Sequence, residues 1–172
     1  LWGVEYKSNH KQAISGFVLE YYQTTNQSGP MHGLDFSEVK KTGGADDYYN
    51  NDWYPGWVHW GMSMANPLIA SPIYNKDGDM TFKYNRVRAM HLGWSGDISS
   101  EWTYLAKLSY NKTWGTPFKP IPDILENFST FASIIYTPRK WKGWRFNASI
   151  AFDTGEIYGD NLGCQLKVRK IF

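Results

Sequence analysis

Cysteine is nearly absent from this chain: Cys164 is the single one among 172 residues. A single cysteine excludes an internal disulfide and any zinc or iron–sulfur site that needs several cysteine ligands. An excess of charge is lacking as well, because 18 basic and 16 acidic residues leave a formal net charge of +2. So small a charge does not require a nucleic-acid partner, and we expect neither nucleic-acid binding nor a bound cofactor.

Long apolar runs are also missing, since no stretch approaches the roughly 20 apolar residues that a transmembrane helix needs. The first residues, Leu1-Trp2-Gly3, include no initiator methionine and show no signal-peptide layout. They already belong to an alternating pattern. We therefore expect no membrane helix, and we interpret the chain as the C-terminal fragment of a longer protein.

Aromatic side chains, in contrast, are abundant. They make up 17% of the residues, with 9 Trp and 12 Tyr, in a chain whose mean hydropathy is −0.52. Trp and Tyr prefer positions where one end of the side chain is dry and the other is wet. Protein interfaces, sugar-binding surfaces and the headgroup belts of membrane proteins all meet this condition, so composition alone leaves these three open.

Apolar and polar residues alternate along most of the chain outside its middle. A period of two places every second side chain on the same face of a β-strand. The clearest stretches are residues 144–153 and residues 102–111, and in the second one aromatic rings stand at both ends of the apolar set. The pattern predicts about seven strands, over residues 2–7, 13–24, 81–94, 102–111, 128–137, 144–153 and 162–169.

Apolar strand faces that end in aromatic rings are typical of transmembrane β-barrels, in which such rings form girdles at both membrane interfaces. Several predicted strands also have the roughly 9–11 residues that a tilted strand needs to cross a bilayer. We therefore predict an all-β fold, an antiparallel transmembrane β-barrel segment that forms a single domain over residues 1–172. The alternative is a soluble β-sandwich, whose strands alternate because one face of each sheet packs inward.

Two segments interrupt the alternation. Residues 27–79 are rich in Gly, Asn, Asp, Pro and Trp, and so long a connection is usually a functional loop. We expect it to form a long extracellular loop. Residues 114–123, which include Pro117, Pro120 and Pro122, predict a second and shorter extended loop.

The end of the chain carries a pattern of its own. Phe172 follows a predicted strand in which Leu166 and Val168 share one face. This arrangement resembles the C-terminal strand of outer-membrane barrels, whose terminal Phe is bound by the barrel-assembly machinery. The resemblance implies that these three residues form a barrel-assembly signal.

Three motifs follow one another in the middle of the chain: Tyr48-Tyr49-Asn50-Asn51, Gly56-Trp57-Val58-His59-Trp60-Gly61 and Asn66-Pro67-Leu68-Ile69. Their order and composition resemble the Wzi family of capsule assembly proteins, in the form found in Bacteroidetes-like bacteria. The resemblance covers the chain from about this segment to its end. It implies an outer-membrane β-barrel with surface-exposed loops that binds and anchors capsular or other surface polysaccharide, like a lectin and without catalysis.

Two groups of residues are candidates for contacting such a glycan. Aromatic faces stack on sugar rings, while neighbouring polar groups bind hydroxyls; aromatic packing under a loop or at a membrane belt is the alternative. Basic residues on the polar strand faces would line a barrel lumen and attract acidic glycans, unless they belong to an ordinary polar lumen. The candidates are Trp53, Tyr54, Trp57, His59, Trp60, Lys107, Arg145, Lys167 and Arg169.

Catalysis and metal binding find little support in the sequence. None of the four histidines has a metal-ligand spacing such as two histidines one helical turn apart, so we expect no metal site. His91 with Ser95 or Ser99 could serve in a lipid-modifying barrel enzyme, but spacing alone is uninformative. That enzyme, an outer-membrane channel and a soluble carbohydrate-binding β-sandwich are the alternatives to polysaccharide binding.

Overall fold

The computed structural model describes residues 1–25, 49, 56–64, 66–117 and 119–171. Within these residues, helical structure is limited to one 3₁₀ turn, Pro72–Tyr74, and no helix is long and apolar enough to cross a membrane. The strands are β1 Trp2–Lys7, β2 Gly16–Gln23, β3 Val58–His59, β4 Met62–Ser63, β5 Val87–Asp97, β6 Trp102–Gly115, β7 Pro120–Tyr136, β8 Trp144–Gly155 and β9 Asn161–Lys170.

Seven of these strands form one antiparallel sheet in the order β1-β2-β5-β6-β7-β8-β9, and β3 pairs with β4 in a separate hairpin. The prediction of an all-β antiparallel fold with about seven strands is therefore confirmed. Strands β1 and β9 stand at the two ends of the order. In the described part of the chain, the sheet is thus open and does not close into a barrel.

The expected loop over residues 114–123 is wrong, because β6 continues to Gly115 and β7 begins at Pro120. The connection between them is a tight turn, in which the Lys119 backbone N–H donates to Thr116 Oγ1 at 2.9 Å. Strand β8 pairs with β7 only from Asn127 onward. The first residues of β7 therefore have one unpaired edge, and proline is tolerated at such a position.

Strand β5 begins at Val87 and not at residue 81 as predicted. The backbone N–H groups of Asn85 and Arg86 both donate to the carbonyl of Gly115, each at 3.1 Å. Because these two hydrogen bonds to one carbonyl replace the regular hydrogen-bond pattern between strands, residues 81–86 remain outside the sheet. The Phe82 side chain is buried instead in a small apolar core.

Strand β2 also begins later than predicted, at Gly16 and not at residue 13. The Ser8 backbone N–H donates to the Ser15 carbonyl at 2.7 Å and closes a loop between β1 and β2. Asn9 and His10 lie within this loop.

The chain divides into two compact units. Unit 1 comprises residues 1–21, 90–110 and 126–172, and unit 2 comprises residues 22–89 and 111–125. Unit 2 has a hydrophobic core of its own, against which Tyr22, Val58 and Leu68 pack. The buried residues of this core are Tyr49, Ile69, Phe82, Val87 and Ala89.

In unit 1 the sheet has two distinct faces. The apolar face carries cross-strand pairs such as Ile134 with Ala148 and Ala148 with Leu166. The polar face carries Ser133 opposite Ser149, and Asn147 Nδ2 donates to Ser133 Oγ at 2.8 Å. The separation of faces that the sequence alternation predicts is therefore present across β7, β8 and β9.

Candidate functional site

The β3–β4 hairpin of unit 2 presents Trp60 at its tip. His59 pairs with Met62, so Trp60 and Gly61 form a two-residue connection. Both have positive φ, 51° at Trp60 and 76° at Gly61, as a type I′ turn requires. The Trp60 side chain is 84% exposed, so the turn holds an indole ring out from the protein.

A bulky side chain is costly at that position. The left-handed conformation costs a non-glycine residue roughly 1–2 kcal/mol, and Asn or Gly usually occupies the first position of such a turn. Trp60 is the only non-glycine residue with positive φ in the described ranges. Trp60 is strained and buries little of its own surface. We therefore infer that the exposed indole ring is retained because it contacts a ligand or partner.

Two other aromatic candidates flank Trp60 on the same hairpin. Trp57 is 47% exposed, and its carbonyl accepts a hydrogen bond from the Met64 backbone N–H at 3.0 Å. The His59 ring lies edge-on to Trp60, with 6.2 Å between the ring centroids. The structure thus brings Trp57, His59 and Trp60 together, while Trp53 and Tyr54 lie outside the described residues.

The hairpin is held on the rest of unit 2 at Gly61. Its carbonyl accepts a hydrogen bond from the Ile73 backbone N–H at 3.0 Å. A Cβ at this position would come within 2.6 Å of Met80 Cε and 3.0 Å of Ile73 Cβ. Gly61 is therefore needed both for its backbone conformation and for the close approach of the 3₁₀ turn.

Three of the four basic candidates lie together on the polar face of unit 1. Arg145 on β8 is directly opposite Arg169 on β9, and Lys167 is opposite Asn147. Like charges placed directly across a sheet repel each other. No carboxylate of the described residues forms an ion pair with these three side chains, so the described residues do not neutralise the cluster.

Lys107, the fourth basic candidate, lies elsewhere on the polar face. Its side chain passes beside Gly93 of β5, since a Cβ on Gly93 would be 3.9 Å from Lys107 Cγ. It lines a recess of about 370 Å³ between β1, β2, β5 and β6. The four basic candidates therefore belong to two separate sites.

The same recess contains a pair that the sequence analysis missed. His91 Nδ1 and Ser109 Oγ lie 2.7 Å apart, within hydrogen-bond distance, on the neighbouring strands β5 and β6. The sequence analysis named Ser95 and Ser99 as possible partners of this histidine, with a spacing that is uninformative. The partner in the structure is 18 residues away and is reached only through the pairing of the strands.

The proposed assembly signal is described in part. Leu166 and Val168 lie on the apolar face of β9, 85% and 61% exposed, and Phe172 lies outside the described residues. The described residues contain no cluster of three or more His, Cys, Asp or Glu side chains that could hold a metal ion.

Comparison of the chain with protein-family models, with curated proteins and with solved structures gives no match. The likeness to the Wzi family therefore rests on the motif residues alone.

Proposed function

We propose that the chain is the membrane-spanning part of an outer-membrane β-barrel that binds surface polysaccharide. The observation that carries the membrane part of the proposal is a repeated spacing on the apolar face. Aromatic rings stand eight residues apart on three consecutive strands of the sheet. The pairs are Trp102 and Tyr110 on β6, Phe128 and Tyr136 on β7, and Trp144 and Phe152 on β8.

The spacing fits the dimensions of a bilayer. Eight residues at about 3.3 Å each extend about 26 Å along a strand. At the tilt of about 40° found in membrane barrels, this is about 20 Å along the membrane normal, and the rings extend it further toward the roughly 25 Å of the apolar band. Small and aliphatic residues fill the space between the rings, among them Ala106, Ala132, Ile134, Ala148 and Ile150.

The exposure of this face argues against a soluble sandwich. In a sandwich, the apolar face of a sheet packs against a second layer. Here Ile134, Ile150 and Leu166 are exposed large hydrophobic residues, and the described residues leave them uncovered. A contiguous exposed apolar face is typical of a surface that contacts lipid or another protein.

Polysaccharide binding is supported by the exposed aromatic tip of the hairpin and by the basic cluster. Trp60 and Trp57 offer ring faces for stacking on sugars. Arg145, Lys167 and Arg169 attract acidic glycans, because no carboxylate among the described residues pairs with them. The resemblance to capsule assembly proteins points to a capsular polysaccharide as the ligand.

The experiment compares capsule retention on cells that carry the wild-type full-length protein or a Trp60→Asn variant, at matched outer-membrane abundance. Asn suits the first position of a type I′ turn, so this substitution removes the indole and preserves the hairpin. The matched control is Ile98→Asn, which removes an exposed apolar side chain from unit 1. We expect Trp60→Asn to shed capsular polysaccharide into the medium and the control to retain it. Equal retention by the two variants would remove the hairpin from the proposal.

A further inference from the structure

The polar face of unit 1 carries three chemically complementary side chains in one row, and two of them, His91 and Ser109, line the recess. Gly16 lies beside Ser95, and Gly93 lies beside Val18. These contacts fix the alignment of β2 with β5. Glu20, two residues beyond Val18 on β2, therefore lies in the same row as His91 on β5. Since His91 reaches Ser109 on β6, a carboxylate, an imidazole and a hydroxyl lie side by side on three neighbouring strands.

We propose that Ser109 is a nucleophile, with His91 as its general base and Glu20 as a positioning residue, and that the recess cleaves a small carboxylic ester on a saccharide. A serine hydroxyl becomes a useful nucleophile when an adjacent base accepts its proton and a third group orients the base. His91 accepts this proton at Nδ1 in the tautomer that carries hydrogen on Nε2. Glu20 and Lys107 are the two charged groups that act electrostatically on His91.

The reaction balances without any further reactant except water. Ser109 Oγ attacks the carbonyl carbon while its proton passes to His91, and a tetrahedral oxyanion forms. The bond from the carbonyl carbon to the sugar oxygen then breaks, and the leaving oxygen takes the proton from His91. Water attacks the acyl-serine, again giving a proton to His91, and releases the carboxylic acid and free Ser109. Lys107, two residues from Ser109 on the same face of β6, supplies positive charge for the oxyanion.

Glycine keeps the recess open above this row. A Cβ on Gly93 would come within 2.9 Å of Val18 Cγ1, and one on Gly16 within 2.7 Å of Ser95 Oγ. The remaining volume, about 370 Å³, is at the small end of the roughly 300–1,000 Å³ of ligand pockets. The lining combines Glu5, Lys7 and Ser95 with the apolar Val18 and Leu105.

This lining favours an acetyl ester over a long acyl chain. The two apolar side chains can cover a methyl group, whereas the charged and hydroxyl groups suit the sugar that carries it. The inference rests on the proposed function for the identity of this substrate, an O-acetylated surface polysaccharide. Ester cleavage itself does not depend on the hairpin aromatics.

The test uses the full chain, purified in detergent, with a fluorophosphonate probe and with nitrophenyl acetate. We expect the probe to label the wild type and not the Ser109→Ala variant. Acetate release should fall at least about 10²-fold in Ser109→Ala and in His91→Gln, as expected on loss of a nucleophile or general base. Ser149→Ala, on the polar face of β8 and outside the recess, is the matched control and should retain both labelling and turnover. Nitrophenyl decanoate should be cleaved more slowly than the acetate.

The role of Glu20 has a separate readout. Glu20→Gln should lower kcat with little change in KM, and Glu20→Asp should restore part of the loss. Wild-type hydrolysis no faster than that of Ser109→Ala, or labelling that persists in Ser109→Ala, would overturn the proposal. Because Trp60→Asn tests capsule retention and leaves this row intact, the two proposals fail independently.

Discussion

The indole of Trp102, at the first residue of β6, stacks on the ring of Tyr136, at the last residue of β7, with 4.4 Å between the ring centroids and 22° between the planes. Phe146 continues the series at 6.3 Å from Tyr136, and Trp144 and Trp141 follow at 6.1 and 5.9 Å from Phe146. Five rings thus form a continuous belt at one end of the apolar face. Such a belt is expected where a barrel wall meets the lipid headgroups.

The stacked pair predicts an energetic coupling between two strands. In a double-mutant cycle, Trp102→Ala and Tyr136→Ala should show a coupling of about 0.5–1.5 kcal/mol, the range for aromatic pairs beyond their buried area. Urea unfolding of the protein in lipid vesicles measures it. The control cycle combines Trp102→Ala with Tyr110→Ala, eight residues farther along β6, where the effects should add. Additive effects in both cycles would show that the stack contributes nothing.

Two glycines of unit 2 allow the energetic cost of backbone strain to be compared with that of strain plus steric conflict. Gly61 and Gly78 both have positive φ, 76° and 71°, but only a Cβ on Gly61 meets other atoms. Gly78→Ala should therefore cost roughly 1–2 kcal/mol through the left-handed conformation alone. Gly61→Ala should cost more, because its methyl group also displaces Met80. Denaturant unfolding followed by tryptophan fluorescence compares them, and equal losses would contradict the close packing of the hairpin.

Acid should weaken the loop that Asp79 organises. A hydrogen bond from Lys83, followed by one from the Thr81 side chain, lowers the pKa of Asp79 from 3.8 to about 2. Because the pKa is lower in the folded state, the stabilisation is present above about pH 4 and is lost as the pH falls toward 2. Asp79→Asn should therefore flatten the pH dependence of unfolding in this window. An unchanged profile in Asp79→Asn would contradict the prediction.

The strands were predictable where one face of the sheet is consistently apolar. Residues 144–153 alternate regularly, and β8 begins at the predicted residue and extends two residues beyond the predicted end. The start of β7 was not predictable, because three prolines indicate a loop unless it is known that β8 leaves that edge unpaired. Likewise, the core around Ile69 and Phe82 lies in a segment without periodicity, where composition indicates only a loop.

The candidate site was predictable only where its residues are close in the chain. The hairpin is short, with four residues between its ends. It therefore brings together Trp57, His59 and Trp60, which are close in the sequence. Glu20, His91 and Ser109 lie on three strands, and only the strand register brings them into one row. For the same reason, the sequence could not show that Lys107 lies apart from Arg145, Lys167 and Arg169.

The most direct test of membrane insertion uses Cys164, which lies exposed on the apolar face of β9 opposite Ile150. A fluorophore attached to Cys164 of the protein in lipid vesicles should be quenched by lipids that carry a nitroxide on the acyl chain, and iodide in the water should have little effect. In a Cys164→Ser background, a fluorophore at Gln165→Cys, on the polar face, should show the reverse pattern. Quenching of both positions by iodide, with no effect of the nitroxide lipids, would contradict a membrane-spanning sheet.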